Sequence, residues 1–251
     1  MNDIELSILL PAFLAGLLVL ATHIPFGMKI LERGVIFADL AVAQIAGMGV
    51  IFAALLDLTG KPLAVQLIAA ASALCGAALL AWIEKRMDEV KEACIGLTFV
   101  LAASGGILLM SHDVHAGEHL KDLLVGQILW VSTRQLITTA ILTFALLVIW
   151  QSSKLKSHYL GFYALFALAV TASVQLVGVY LVFASLIIPA LATYRVTHWR
   201  TPYAFAIGVC GYAAGLMLSA WLDLPSGATV VWAMAVTGVI AALLLNPRKV
   251  G

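Results

Sequence analysis

The sequence predicts an all-α polytopic integral membrane protein, with about nine transmembrane helices and a short outer half-helix. Three observations carry this. Apolar residues make up 63% of the 251 positions, charged residues only 11%, and the mean hydropathy is +1.07. Soluble domains run near 25% charged, so this chain cannot coat itself with polar surface. Long apolar runs recur from end to end, and in a bilayer such runs must satisfy their own backbone as helices. Finally, Lys and Arg gather in alternate connections.

Hydropathy places the spans at Leu6–Ala21, Val35–Leu56, Leu63–Ile83, Ala93–Met110, Leu136–Trp150, Tyr159–Val174, Leu176–Tyr194, Tyr203–Leu222 and Ala228–Asn246. The first opens on MNDIELSILL. Asp3 and Glu5 stand where a signal peptide would carry Lys or Arg, so it reads as an uncleaved first span. The sixth and seventh are separated only by Gln175 and Gly178. With the N-terminus outside, eleven of the fourteen Lys and Arg fall on inside segments, beginning with Lys29 and Arg33 and ending with Arg248 and Lys249. Only Lys61, Lys121 and Arg134 fall outside. Cytoplasmic loops carry this excess, so nine spans with the N-terminus out and the C-terminus in follow. Merging two spans would destroy the alternation downstream. No polar segment is long enough for a soluble domain, so residues 1–251 read as one transmembrane domain.

The connection Ser111–Thr133 holds its own apolar stretch, HLKDLLVGQILWV, too short to span and suited to a half-helix at the outer interface. Gly211 and Gly215 have the spacing of close helix–helix contact. Pro189 lies inside the seventh span, where it removes a backbone donor and predicts a kink or break. Pro225 and Gly227 predict the sharp turn before the last helix. Cys75, Cys94 and Cys210 lie scattered in apolar stretches and read as packing residues. With no basic cluster, nothing points to nucleic acid.

One polar segment is rich in metal-ligating types: His112, Asp113, His115, Glu118, His119 and Asp122. If helical, His115, Glu118, His119 and Asp122 share a face, with His112 one turn earlier. On composition the segment reads first as a polar, titratable interface loop, and second as a weak outer metal-collecting site. The same letters spell H-x-x-E-H, an inverted zinc-protease motif, which leaves a membrane metalloenzyme as a lesser alternative. His23, His158 and His198 fall beside Pro or basic residues at expected inner helix ends and read as interfacial.

Five blocks carry a family resemblance: RGVIFADLAVAQIAGMG (33–49), IEKR (83–86) before a helix opening on IGL, LKDLLVGQILWVS (120–132), VGVYLVFASLIIPALAT (177–193) and LSAWLDLPSGATVVW (218–232). In this order they resemble the membrane permeases of zinc, manganese and iron ABC importers, across nearly the whole chain. The resemblance implies a permease that dimerises around a central pathway in the plasma membrane. It further implies a cytoplasmic ATP-binding subunit and an extracytoplasmic metal-binding protein as partners, a divalent metal such as zinc or manganese as cargo, and no cofactor or catalysis in this chain. No P-loop motif is present.

The family pattern places an Asp and a His one turn apart near the start of the second span. Asp39 stands at the Asp position; the His position falls on Ala43 or Gln44. An intramembrane carboxylate is a functional-site hypothesis by default, though Asp39 could instead cap the helix or meet Arg33. A glutamine amide is a poorer zinc ligand than imidazole and suits harder ions, so Asp39 and Gln44 stand as the candidate pathway residues for the metal. Family members also carry a longer cytoplasmic segment between the fifth and sixth spans, which docks on the ATPase. Here that connection is QSSKLKSH (151–158), too short for a helix and its two links. Either EKRMDEVKEA (84–93) docks as a two-turn helix, or the chain is an uncoupled relative acting as facilitator or accessory subunit.

Overall fold

The computed structural model describes residues 3–58, 60–111, 124, 126–152 and 158–245. Among these residues nine α-helices are delimited. They are α1 (Asp3–Arg33), α2 (Ala38–Leu55), α3 (Pro62–Arg86), α4 (Lys91–Leu109), α5 (Thr133–Ser152), α6 (Tyr159–Val177), α7 (Val179–Ala192), α8 (Arg200–Leu222) and α9 (Ser226–Leu245). Eight are long and apolar enough to cross a membrane, and α7 is a shorter apolar helix. The protein is thus an all-helical polytopic membrane protein. The chain divides into two compact units, each built from separate stretches: 1–33, 124–144 and 176–251 in the first, 34–123 and 145–175 in the second.

In the first unit, α1 departs from the expected first span. It runs to Arg33, so His23 lies ten residues inside a continuous helix and is fully buried, not interfacial. The polar stretch Thr22–His23 does not end the helix because it bonds to the helix's own backbone. Thr22 Oγ1 donates to the Val19 carbonyl at 3.2 Å, and His23 Nδ1 lies 2.9 Å from the same oxygen. Small residues let neighbours close on α1: Gly16 lies against the Tyr212 ring and Gly27 against the Leu186 carbonyl. In the same way Gly211 and Gly215 of α8 lie against Met234 and Val230 of α9, the close approach their spacing predicts. Helix α8 closes with Asp223 in the left-handed region; Leu224 N–H returns to the Ser219 carbonyl, and Ser219 Oγ donates to the Leu224 carbonyl.

The interruption between α6 and α7 falls at Gly178, not at Gln175. Gly178 has φ +81° and ψ 163°, a conformation only glycine adopts readily. Helix α7 then continues through Pro189 to Ala192, so the expected break at that proline is absent. Its 14 residues reach only about 21 Å, short of a hydrocarbon core. Gly126, with φ +69°, packs against the Val177–Gly178 peptide. Two of the sequence blocks therefore meet here. In the expected outer half-helix Leu124 is helical, and from Gly126 onward the stretch forms a 3₁₀ turn, Ile128–Trp130; residues 119–123 and 125 lie outside the described residues.

In the second unit α2 packs on α3 and α4. Gly49 meets Ala69 and Ser72 of α3, Ile45 meets Gly76 of α3, and Met48 and Ile51 meet Gly105 and Gly106 of α4. Phe162, Tyr163 and Phe166 of α6 are fully buried; the rings of Phe162 and Phe166 stack 5.8 Å apart, and Trp150 of α5 tilts against Phe162 at 6.1 Å. The stretch 84–93 does not form a helix of its own. It is the end of α3, a tight 3₁₀ turn at Asp88–Val90 and the start of α4. Lys91 Nζ bonds Asp88 at 2.8 Å across that turn. The helix formers in this stretch extend the two spans rather than nucleating a separate element, because a short isolated helix is unfavourable.

Candidate functional site

Helix α2 places the site. Phe37 is its N-cap residue and supplies no side-chain cap; Asp39 follows in the first turn. The Asp39 side chain is fully buried, and neither carboxylate oxygen has a hydrogen-bond partner among the described residues. It therefore does not cap the helix. A buried carboxylate with both oxygens open is costly and needs a compensating charge or proton. The face that carries Asp39 continues through Ala43, Ala46 and Ala53, all buried and all small.

The helical phase settles which nearby position shares this face. Ala43 is four residues on and stacks one turn above Asp39. Gln44 is five residues on, about 140° around the helix. Its phase is that of Met48 and Ile51, which meet α4, and it is half-buried. The structure thus brings Ala43 to the Asp39 face and turns Gln44 away from it. No imidazole accompanies the carboxylate on this helix.

His112, His115, Glu118 and His119 lie outside the described residues, as do Asp113 and Asp122. Among the described residues no three of His, Cys, Asp and Glu gather as a metal group. His158 and His198 are exposed at helix ends.

Two polar residues escaped sequence reasoning. His23 of α1 is buried, its Nε2 without a partner among the described residues, while Nδ1 faces Val19 O and Thr22 Oγ1. The sequence signal was the apolar run resuming as IPFGMKIL after it. Glu92 of α4 bonds to α2: its Oε1 accepts from the Phe37 N–H at 3.0 Å. An acidic residue in a helix's first turn ordinarily serves its own helix, so nothing in the sequence pointed to α2.

The model of the ABC 3 transport family matches residues 5–157 and 150–245, nearly the whole chain. The chain belongs to the ABC 3 transport family. This agrees with the resemblance carried by the five sequence blocks. Among curated relatives of this ABC 3 family chain, the manganese transport system membrane protein of Halalkalibacterium halodurans is 31% identical over 64% of the chain. A probable iron transport system membrane protein of Haemophilus influenzae is 28% identical over 62%, and a chelated iron transport system membrane protein of Yersinia pestis 28% over 66%. The matched stretches span 63%, 66% and 63% of those relatives' own lengths, under two thirds in each case. The fold is also that of PsaBC from Streptococcus pneumoniae, solved in complex with Fab. The TM-score is 0.74, over 99% of this chain and 94% of that one, at 23% identity.

Proposed function

We propose that this chain is the membrane-spanning permease subunit of a divalent metal ABC importer. The observation that carries the reading is the Asp39 carboxylate, buried in a membrane helix with both oxygens open, in a chain of the ABC 3 transport family. A passing cation supplies the charge that the carboxylate lacks. Manganese and iron appear in the names of the relatives. A carboxylate without an imidazole on the same helix suits manganese better than zinc.

In this reading residues 1–251 act as one permease domain in the plasma membrane, with the N-terminus outside and the C-terminus in the cytoplasm, as the Lys and Arg distribution favours. Two copies enclose the pathway. A cytoplasmic ATP-binding subunit supplies the energy, and an extracytoplasmic metal-binding protein delivers the ion. The chain itself carries no catalysis. His112, His115, Glu118 and His119 form a weak outer collecting site, and Gln44 contributes nothing to the ligand set.

The test is uptake of radioactive manganese, iron and zinc by intact cells carrying the native protein or Asp39→Asn. Membrane levels are matched, and the ATPase is sought by pull-down from solubilised membranes. Loss of uptake of one metal in Asp39→Asn, with an ATPase co-purifying, supports the permease. Unchanged uptake of all three overturns it. One observation favours a second reading, an uncoupled facilitator or accessory subunit: only six residues separate α5 from α6. An intact uptake activity with no ATPase in the pull-down would select it.

A further inference from the structure

Helix α4 begins at Lys91, directly after the 3₁₀ turn that joins it to α3, so Glu92 stands in its first turn. The Glu92 carboxylate leaves its own helix and accepts the Phe37 N–H of α2 at 3.0 Å. Phe37 is the N-cap residue of α2, and no side chain within α2 caps that end. Glu92 is therefore a cap supplied from another helix, a negative group at the positive end of α2. A second contact joins the same parts: the Phe37 ring lies at van der Waals distance, 3.9 Å, from where a β-carbon would sit on Gly96, one turn after Glu92. Two residues beyond Phe37 is Asp39, whose own carboxylate has no hydrogen-bond partner among the described residues. Its placement is thus inherited from the backbone of the α2 first turn.

We propose that Glu92 is a positioning residue for the pathway carboxylate, fixing the first turn of α2 and through it Asp39. The inference rests on the reading of Asp39 as a pathway ligand. It also gives the turn between α3 and α4 a role other than docking: a shift of that turn is passed to Asp39 through the Glu92 contacts with the start of α2.

The test separates reach from charge. Native protein, Asp39→Asn, Glu92→Ala, Glu92→Gln, Glu92→Asp and the double variant Glu92→Ala with Asp39→Asn are purified into lipid nanodiscs. Binding of manganese(II) alone is read from the loss of free-ion electron paramagnetic resonance signal. Hydrogen exchange is followed at residues 36–41 and, as a fold control, at 162–170. Glu92→Gln keeps the reach and an acceptor oxygen, and binds within about threefold of native. Glu92→Ala and Glu92→Asp, which lose the reach, bind about tenfold more weakly and exchange faster at 36–41 but not at 162–170. The double variant binds no more weakly than Asp39→Asn, because the two residues act through one path. Native-like binding and exchange in Glu92→Ala overturn the proposal, as does a pattern in which Glu92→Asp is native-like and Glu92→Gln is impaired. Native-like binding in Asp39→Asn overturns the pathway reading and this inference together, whereas failure of the Glu92 variants alone leaves the pathway reading standing.

Discussion

Tyr212 of α8 and Ser185 of α7 join hydroxyls at 2.9 Å with no solvent access to either side chain. Ser185 has one proton, and it goes to the Leu181 carbonyl at 2.7 Å, so Tyr212 is the donor in the pair. The Tyr212 ring in turn fills the space over Gly16 of α1. This one side chain ties three helices of the first unit.

The asymmetry of that pair fixes a stability order. Ser185→Ala leaves the buried Tyr212 O–H without an acceptor and costs about 2 kcal/mol, whereas Tyr212→Phe leaves only a spare lone pair on Ser185 and costs about 1 kcal/mol. Thermal unfolding in detergent should rank native, Tyr212→Phe, Ser185→Ala in falling midpoint. The reverse order would mean that Ser185 is the donor.

The packing of Gly126 on the Val177–Gly178 peptide predicts a second order. Gly126→Ala must place a methyl into backbone at positive φ, and should cost about 3 kcal/mol. Gly34 has a similar φ, +67°, but no described residue lies within 4 Å of an added β-carbon. Gly34→Ala should therefore cost only about 1 kcal/mol, the conformational part alone. Equal losses in the same unfolding assay would show that the close contact is immaterial.

Helical phase makes a sharp prediction about ion preference. Ala43→His puts an imidazole one turn from Asp39 and should shift uptake toward zinc over manganese by about tenfold. Gln44→His places the ring on the α4 side and should leave the preference within about twofold. Competition of the two metals in an uptake assay decides. An equal shift in both variants would mean that α2 rotates from the phase described here.

Orientation is tested by cysteine labelling in intact cells. Lys61 and Lys85 are both exposed at opposite ends of α3. With the N-terminus outside, Lys61→Cys should react with an impermeant maleimide and Lys85→Cys should not. The opposite pattern would invert every side assignment.

By itself the sequence determined the class, the nine helical segments delimited among the described residues, and the family. Each rests on properties that add along the chain: apolar length, the charge of the connections and local wording in fixed order. It placed Asp39 on the second helix, yet left Ala43 and Gln44 open, because a one-residue shift in a family pattern is a turn of about 100° on a helix. Only the tertiary structure decided that α1 runs through His23, where Thr22 and His23 hide their polarity against Val19, a contact invisible to hydropathy. Likewise it chose Gly178 over Gln175 as the interruption between α6 and α7, and left α7 continuous through Pro189. A proline's cost can be absorbed where neighbours pack around it, whereas the positive φ at Gly178 is fixed by what lies against it. The bond from Glu92 to Phe37 belongs to the same kind: it joins residues 55 apart, and only the packing of α4 on α2 brings them within reach.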